Sequence, residues 1–147
     1  MSSPLVDQAR TYLGVPFRHR GRTPRGLDCA GLVWRAYADL GCVLPDVERY
    51  GREPHRDGLM DAMRAAFGPP VWEGRALADR SLLRVGDVVV LRFEVHPHHI
   101  AIVTDDRHHG LGLIHAYSPP GGGGRVLEHG LDARWQSQIL AVFRRPI

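Results

Sequence analysis

Apolar positions near the start of the chain recur at helical spacing. Ser3-Pro4 reads as a helix start, a capping hydroxyl followed by proline at the first helical position. Leu5, Ala9, Tyr12 and Leu13 follow at i, i+4, i+7 and i+8, which predicts one buried face, and Gly14 stops the helix. Residues 15–28 read as a basic, glycine- and proline-containing loop. Leu32, Val33, Ala36, Tyr37 and Leu40 form the stripe of a second helix running from Cys29 to Leu40, ended by Gly41. Residues 44–56 are irregular and polar. A third helix is predicted over Asp57–Phe67, with Leu59, Met60, Met63 and Phe67 on one face, broken by Gly68-Pro69-Pro70.

From Leu83 onward the period shortens to that of strands. Five are predicted: Asp87–Arg92, Ile100–Val103, Leu113–Ala116, Arg125–Glu128 and Ile139–Arg144. Turns at Asp105-Asp106 and Gly121–Gly124 separate some of them, and such short connections imply antiparallel pairing. Helices first, then a sheet, is the layout of an α+β fold. The expectation is one domain over residues 1–147, with N-terminal helices packed on a mainly antiparallel sheet of five or six strands.

Composition narrows the function classes. The 147 residues are 44% hydrophobic and 24% charged, ordinary for a globular chain. The formal charge of +3 comes from scattered arginines. Without a clustered basic helix, a nucleic-acid partner is not expected. No stretch approaches the ~20 apolar residues that span a bilayer, so membrane insertion is not expected either. Met1–Arg10 lacks a basic segment followed by an apolar one, which predicts synthesis in the cytoplasm without a signal peptide. A target outside the membrane would then be reached by another route.

Cys29 is the strongest candidate for chemistry. It follows Gly26-Leu27-Asp28 at the predicted start of the second helix. A thiol there feels the positive end of the helix dipole and unpaired backbone N–H groups, which favour the nucleophilic thiolate. A disulfide to Cys42 would span the helix, about 20 Å at ~1.5 Å per residue, so both cysteines are expected as thiols. Cys42 reads as a small buried residue. His99 opens one predicted strand and His115 lies within another, so neighbouring strands would line their imidazoles against the helix start. The Cys29 N–H is then a candidate oxyanion donor. His96, His98, His108 and His109 add imidazoles, but no HExxH or CxxC spacing accompanies them, and neither a metal nor a cofactor is expected. Asp28 reads equally as a helix cap and as a substrate contact. Asp87 reads as a turn residue, Trp34, Trp72 and Trp135 as packing, and Gly121–Gly124 as a plain connection.

Six elements occur in a recognisable order: Gly14-Val15-Pro16-Phe17, Asp28-Cys29-Ala30-Gly31-Leu32-Val33, Gly41-Cys42-Val43-Leu44-Pro45, Gly86-Asp87-Val88-Val89, His99-Ile100-Ala101-Ile102 and Leu113-Ile114-His115-Ala116. Together they resemble the NlpC/P60 family of papain-like cysteine peptidases in its minimal form, over about residues 5–145. The resemblance implies Cys29 as nucleophile, His99 as base and His115 as the residue that orients it. It implies substrate contacts at Asp28, His19 and Phe17. Phe17 replaces a common tyrosine, and His19-Arg20-Gly21 replaces an aromatic followed by two glycines. These departures are similar to the branch found among tail-associated cell-wall peptidases of bacteriophages and gene transfer agents. The implied substrate is a peptidoglycan stem peptide, cut at a γ-D-glutamyl linkage through a thioester. The implied partners are tail or baseplate proteins, and the implied site of action is the cell wall or periplasm, reached on a virion tail. Two other readings stay open: a structural tail adaptor with a vestigial site, and a thiol amidase or acyltransferase on the same scaffold.

Overall fold

The computed structural model describes residues 3–45, 58–93, 96–106, 110–119 and 121–147. Helix α1 spans Pro4–Arg10, capped by the Ser3 hydroxyl, which accepts from Val6 N–H. It ends sooner than its apolar pattern suggests. Tyr12 is buried, but Leu13 is 46% exposed, because the chain has already turned toward Gly14. The segment expected as plain loop holds a small hairpin, β1 (Arg22–Thr23) against β2 (Gly26–Leu27). Helix α2 (Cys29–Asp39) and helix α3 (Leu59–Phe67) follow, close to the predicted bounds. Asp57 and most of the irregular 44–56 stretch lie outside the described residues.

The sheet has six strands: β3 (Trp72–Glu73), β4 (Val88–Phe93), β5 (His96–Asp106), β6 (Gly110–Tyr117), β7 (Arg125–Gly130) and β8 (Ile139–Phe143). Their spatial order is β3-β8-β4-β5-β6-β7, and each neighbouring pair is antiparallel. Three short elements were not expected, strand β3, a 3-10 turn at Arg80–Leu82 and helix α4 (Ala133–Ser137). β5 is longer than predicted at both ends. His96 and His98 therefore belong to the strand backbone. The His98 side chain lies outside the described residues, as do His108 and His109.

Both faces of the sheet are covered, which explains why β4 reads Val88-Val89-Val90-Leu91 without polar alternation. Val88, Val90, Ile100, Ile102, Ile114 and Phe143 pack with α1, α2 and α3. Val89, Leu91, Ala101, Val103, Leu113 and Val142 pack with Leu77, Leu83 and Leu131 on the other side, where Trp135 of α4 also rests. Three ion pairs clamp these layers. Arg10 of α1 reaches Glu128 on β7 at 2.8 Å and Asp105 on β5 at 3.0 Å. Asp87, 1% exposed, accepts from Arg144 Nε at 2.7 Å, Arg144 Nη2 at 2.9 Å and Arg84 N–H at 2.8 Å. The Asp87 carboxylate does hold the turn before its strand, and it also ties that turn to the end of β8. The Gly121–Gly124 connection is more than a tether: Gly124 O accepts from Phe17 N–H at 2.8 Å, and Val126 pairs with the 14–15 backbone. A Cβ at Gly124 would stand 1.9 Å from Tyr117 O, so only glycine permits that approach.

Candidate active site

The start of α2 is fixed by one buried carboxylate. Asp28 is 2% exposed, and its Oδ1 accepts from Gly31 N–H at 2.7 Å, capping the helix. The same oxygen accepts from Arg22 Nη1 at 2.9 Å, while Oδ2 accepts from Arg20 N–H at 2.9 Å. Arg20 sits at φ 62, a left-handed conformation that a non-glycine residue adopts only under constraint, and the Asp28 bond supplies one. Loop 18–21 is thereby pressed onto the first turn of α2. A Cβ at Gly31 would lie 1.8 Å from Gly21 O, which is why glycine follows Cys29-Ala30. Of the two readings of Asp28, the structure builds the cap, and protein groups take both its oxygens.

Cys29 opens the helix and is 8% exposed. The backbone N–H groups of Ile100 and Ala30 face its sulfur, so the thiol lies against the β5 segment that carries His99. The expectation of a thiol biased toward its anion is corrected here. Burial above all, and then the Asp28 charge, push the Cys29 thiol up to about 12, against the pull of those two N–H groups and Arg22. A carboxylate cap offsets the helix dipole at the residue that was expected to benefit from it. Both cysteines are thiols, as expected, but Cys42 is half-buried instead of buried.

His99, 5% exposed, and His115, fully buried, sit beyond the end of the β5–β6 ladder, which runs from Ile102↔Ile114 to Asp106↔Gly110. Their rings connect the strands there: His99 Nε2 lies 2.6 Å from His115 Nδ1. Sequence reasoning did not single out the next member. His115 Nε2 lies 2.8 Å from His129 Nε2, and His129 Nδ1 lies 2.9 Å from Gly130 O. The signal was narrowly missed, because β7 runs to Gly130 and the predicted strand stopped at Glu128. Trp135, expected as a packing residue with the groove left open to one of the three tryptophans, also belongs here. Its ring centroid is 5.3 Å from that of His115 and 4.7 Å from that of His129. The Asp132 cap of α4, which accepts from Trp135 N–H at 2.8 Å, sets that position. Tyr117 completes the aromatic wall, 6.1 Å from His99 and 5.6 Å from His115.

Burial, with His99 and His129 on either side, holds His115 well below the ordinary imidazole range, so it is neutral near pH 7. A neutral ring that accepts at one nitrogen and donates at the other suits a group that orients a base. With His99 Nε2 committed to His115, its Nδ1 is the nitrogen that would serve the thiol.

The other expected site residues lie nearer the rim. Phe17 packs on the helix-side core, and its backbone bridges to Leu27. His19 is half-buried in the loop that Asp28 holds. Among the described residues no group of three or more His, Cys, Asp or Glu side chains is placed to hold a metal ion.

This arrangement is matched by a family model. The description "NlpC/P60 family" fits residues 14–136. The chain belongs to the NlpC/P60 family.

Solved structures of NlpC/P60 domains agree in fold. The NlpC/p60 domain of peptidoglycan hydrolase SagA superposes with a TM-score of 0.56 at 20% identity, covering 97% of each chain. A lipoprotein-like NLP/P60 protein from Staphylococcus aureus gives 0.56 at 20% identity, over 96% of this chain and 40% of that one. NlpC1 from Trichomonas vaginalis gives 0.60 at 18% identity, over 95% and 42%. The chain thus spans less than half the length of the latter two. No curated protein sequence matches it.

Proposed function

We propose that this NlpC/P60 domain is a cysteine peptidase that hydrolyses peptidoglycan stem peptides through a thioester. The observation that carries the reading is the Cys29 thiol, held at a helix start against the strand that bears His99, with His99 joined to buried His115 at 2.6 Å. The similar SagA domain belongs to a protein named as a peptidoglycan hydrolase, which supports the substrate class.

In this reading Cys29 Sγ attacks the scissile carbonyl carbon while His99 Nδ1 takes the thiol proton. Negative charge develops on the carbonyl oxygen, and the Cys29 N–H, at the helix start, is the proposed donor to it. The tetrahedral adduct collapses as the C–N bond breaks, and protonated His99 gives its proton to the leaving amine. His99 then takes a proton from water, the resulting hydroxide attacks the thioester carbonyl, and the C–S bond breaks to restore the thiol. His115 stays neutral throughout and fixes the His99 ring. The bond assigned is a γ-D-glutamyl linkage, on the family resemblance of the six ordered elements. The same resemblance, through His19-Arg20-Gly21, assigns the domain to a phage-type tail, with tail or baseplate proteins as partners and the cell wall as its site of action. Phe17 and His19 remain proposed substrate contacts.

The test is mass spectrometry of muropeptides digested by the wild type and by Cys29→Ala. New fragments cut beside D-glutamate, absent with Cys29→Ala, support the assignment; identical digests overturn it. Finding the chain in purified particles tests the tail role, and its consistent absence refutes that role.

A further inference from the structure

Gly130 O begins a chain of constraints that ends at the proposed base. A carbonyl oxygen only accepts, so the His129 nitrogen facing it, Nδ1 at 2.9 Å, carries a hydrogen. Neutral His129 then presents a lone pair at Nε2, which accepts from His115 Nε2–H at 2.8 Å. Buried His115 is neutral, so its Nδ1 bears the lone pair and accepts from His99 Nε2–H at 2.6 Å. Neutral His99 with its hydrogen on Nε2 has its lone pair on Nδ1, the nitrogen a thiol proton must enter.

We propose that His129 is a positioning residue of the site: by accepting from His115 it sets the tautomer of His115, and through it the tautomer of His99. This rests on the reading of His99 as the base.

The direction of the chain is reversible, which makes the role specific. If His129 Nε2 carried a hydrogen, it would donate to His115 Nε2. His115 would then hold its hydrogen on Nδ1 and donate to His99 Nε2. His99 would place its own hydrogen on Nδ1, facing the thiol with a donor where an acceptor is needed. His129 is half-buried at the edge of a surface depression of about 640 Å³, which gives it access to water. The charged side chains lining that depression are Arg80, which donates to Leu131 O at 2.8 Å, and Asp132, the cap of α4. From β6, His115 faces it, and from α4, the Trp135 ring. Trp135 packs against both rings, which meet edge to face.

The experiment separates hydrogen-bond direction from packing. His129→Gln offers a carbonyl oxygen that can accept from His115 Nε2–H; His129→Phe fills the space with no acceptor. For the full chain, kcat on muropeptide should fall about 10- to 100-fold in His129→Phe, the usual cost of losing a group that orients a ligating or catalytic imidazole, with KM little changed. His129→Gln should recover most of that loss. Nitrogen-15 NMR of the histidine rings gives a readout independent of turnover. The wild type should show His99 and His115 protonated at Nε2 when neutral, and His129→Phe should shift His115 toward Nδ1–H. Equal kcat in the Gln and Phe variants overturns the proposal. So does a wild-type His99 protonated at Nδ1 when neutral, a result available even if His129→Phe does not fold. An inactive wild type with the expected tautomers would overturn the peptidase reading alone.

Discussion

Asp28 is where stability and chemistry oppose each other. Its carboxylate accepts three hydrogen bonds, from Gly31 N–H, Arg22 Nη1 and Arg20 N–H, and is almost fully buried. Asp28→Ala removes all three. Loss of a helix cap costs about 1 kcal/mol. The Arg20 N–H loses a charged acceptor, a bond type worth about 1.5–3 kcal/mol. The Arg22 partner is 23% exposed, so solvent recovers much of its charge and adds only about 1 kcal/mol. The sum is about 4 kcal/mol, or a Tm drop of about 10 °C for a domain of this size. Asp28→Asn keeps an oxygen for Gly31 but turns an NH₂ toward Arg20 N–H, since Oδ1 and Oδ2 serve different donors. Arg20, at φ 62, then has less to hold it in its left-handed conformation. The cost is about 2 kcal/mol. Yet the same change should make the thiol more acidic, because the Asp28 charge is the second cause of its raised position. Urea denaturation measures the first effect, and the pH dependence of Cys29 alkylation the second. An alkylation midpoint that rises in Asp28→Asn, or an Asp28→Ala variant as stable as the wild type, refutes this account.

Other expectations follow from the same geometry. Cys29→Ala and His99→Ala should each abolish muropeptide hydrolysis, with His115→Ala milder; full activity in either of the first two refutes the assignment. Folded His115 titrates well below its unfolded value, so its contribution is complete above about pH 6.5 and is lost as pH falls below it, by up to about 1.4 kcal/mol per unit. Urea midpoints measured from pH 7 to 5 should therefore fall less steeply in His115→Asn, and equal slopes would refute this. Asp87→Ala strands Arg144 and the Arg84 N–H and should cost about 3–5 kcal/mol by calorimetry.

Much of the fold is legible in the sequence because its signals are local. The stripe Leu32, Val33, Ala36, Tyr37 gives α2, and the apolar runs give β4, β5, β6 and β8 within a few residues of their ends. The hairpin at Arg22–Leu27, β3 and α4 are short, and pairing or caps make them, not periodicity. The site divides in the same way. Cys29, His99 and His115 stand in ordered motifs. His129 has no motif; it becomes visible only when β7 pairs with β6 and sets His129 opposite Leu113, beside the turn that brings Trp135 inward. The thiol's acidity was misjudged because the helix dipole is a property of one element, while burial and the neighbouring carboxylate belong to the assembled site.

That raised thiol decides how Cys29 must work. A lone thiolate at an 8% exposed position, next to a carboxylate, is disfavoured whatever the helix contributes. The anion then forms as its proton finds a base within the same dry space, and the proposed base is His99. Its ring is held from behind by the neutral His115 imidazole, so the Cys29–His99 pair itself needs no charge at rest. Removing His99 should then do more than stop turnover. In His99→Ala, the pH midpoint for alkylation of Cys29 should move up from that of the wild type. Iodoacetamide labelling followed by mass spectrometry reads this directly at several pH values. A midpoint unchanged from the wild type would mean that the helix start and the N–H groups of Ile100 and Ala30 activate the sulfur without the histidine, and the proposed division of labour would be wrong.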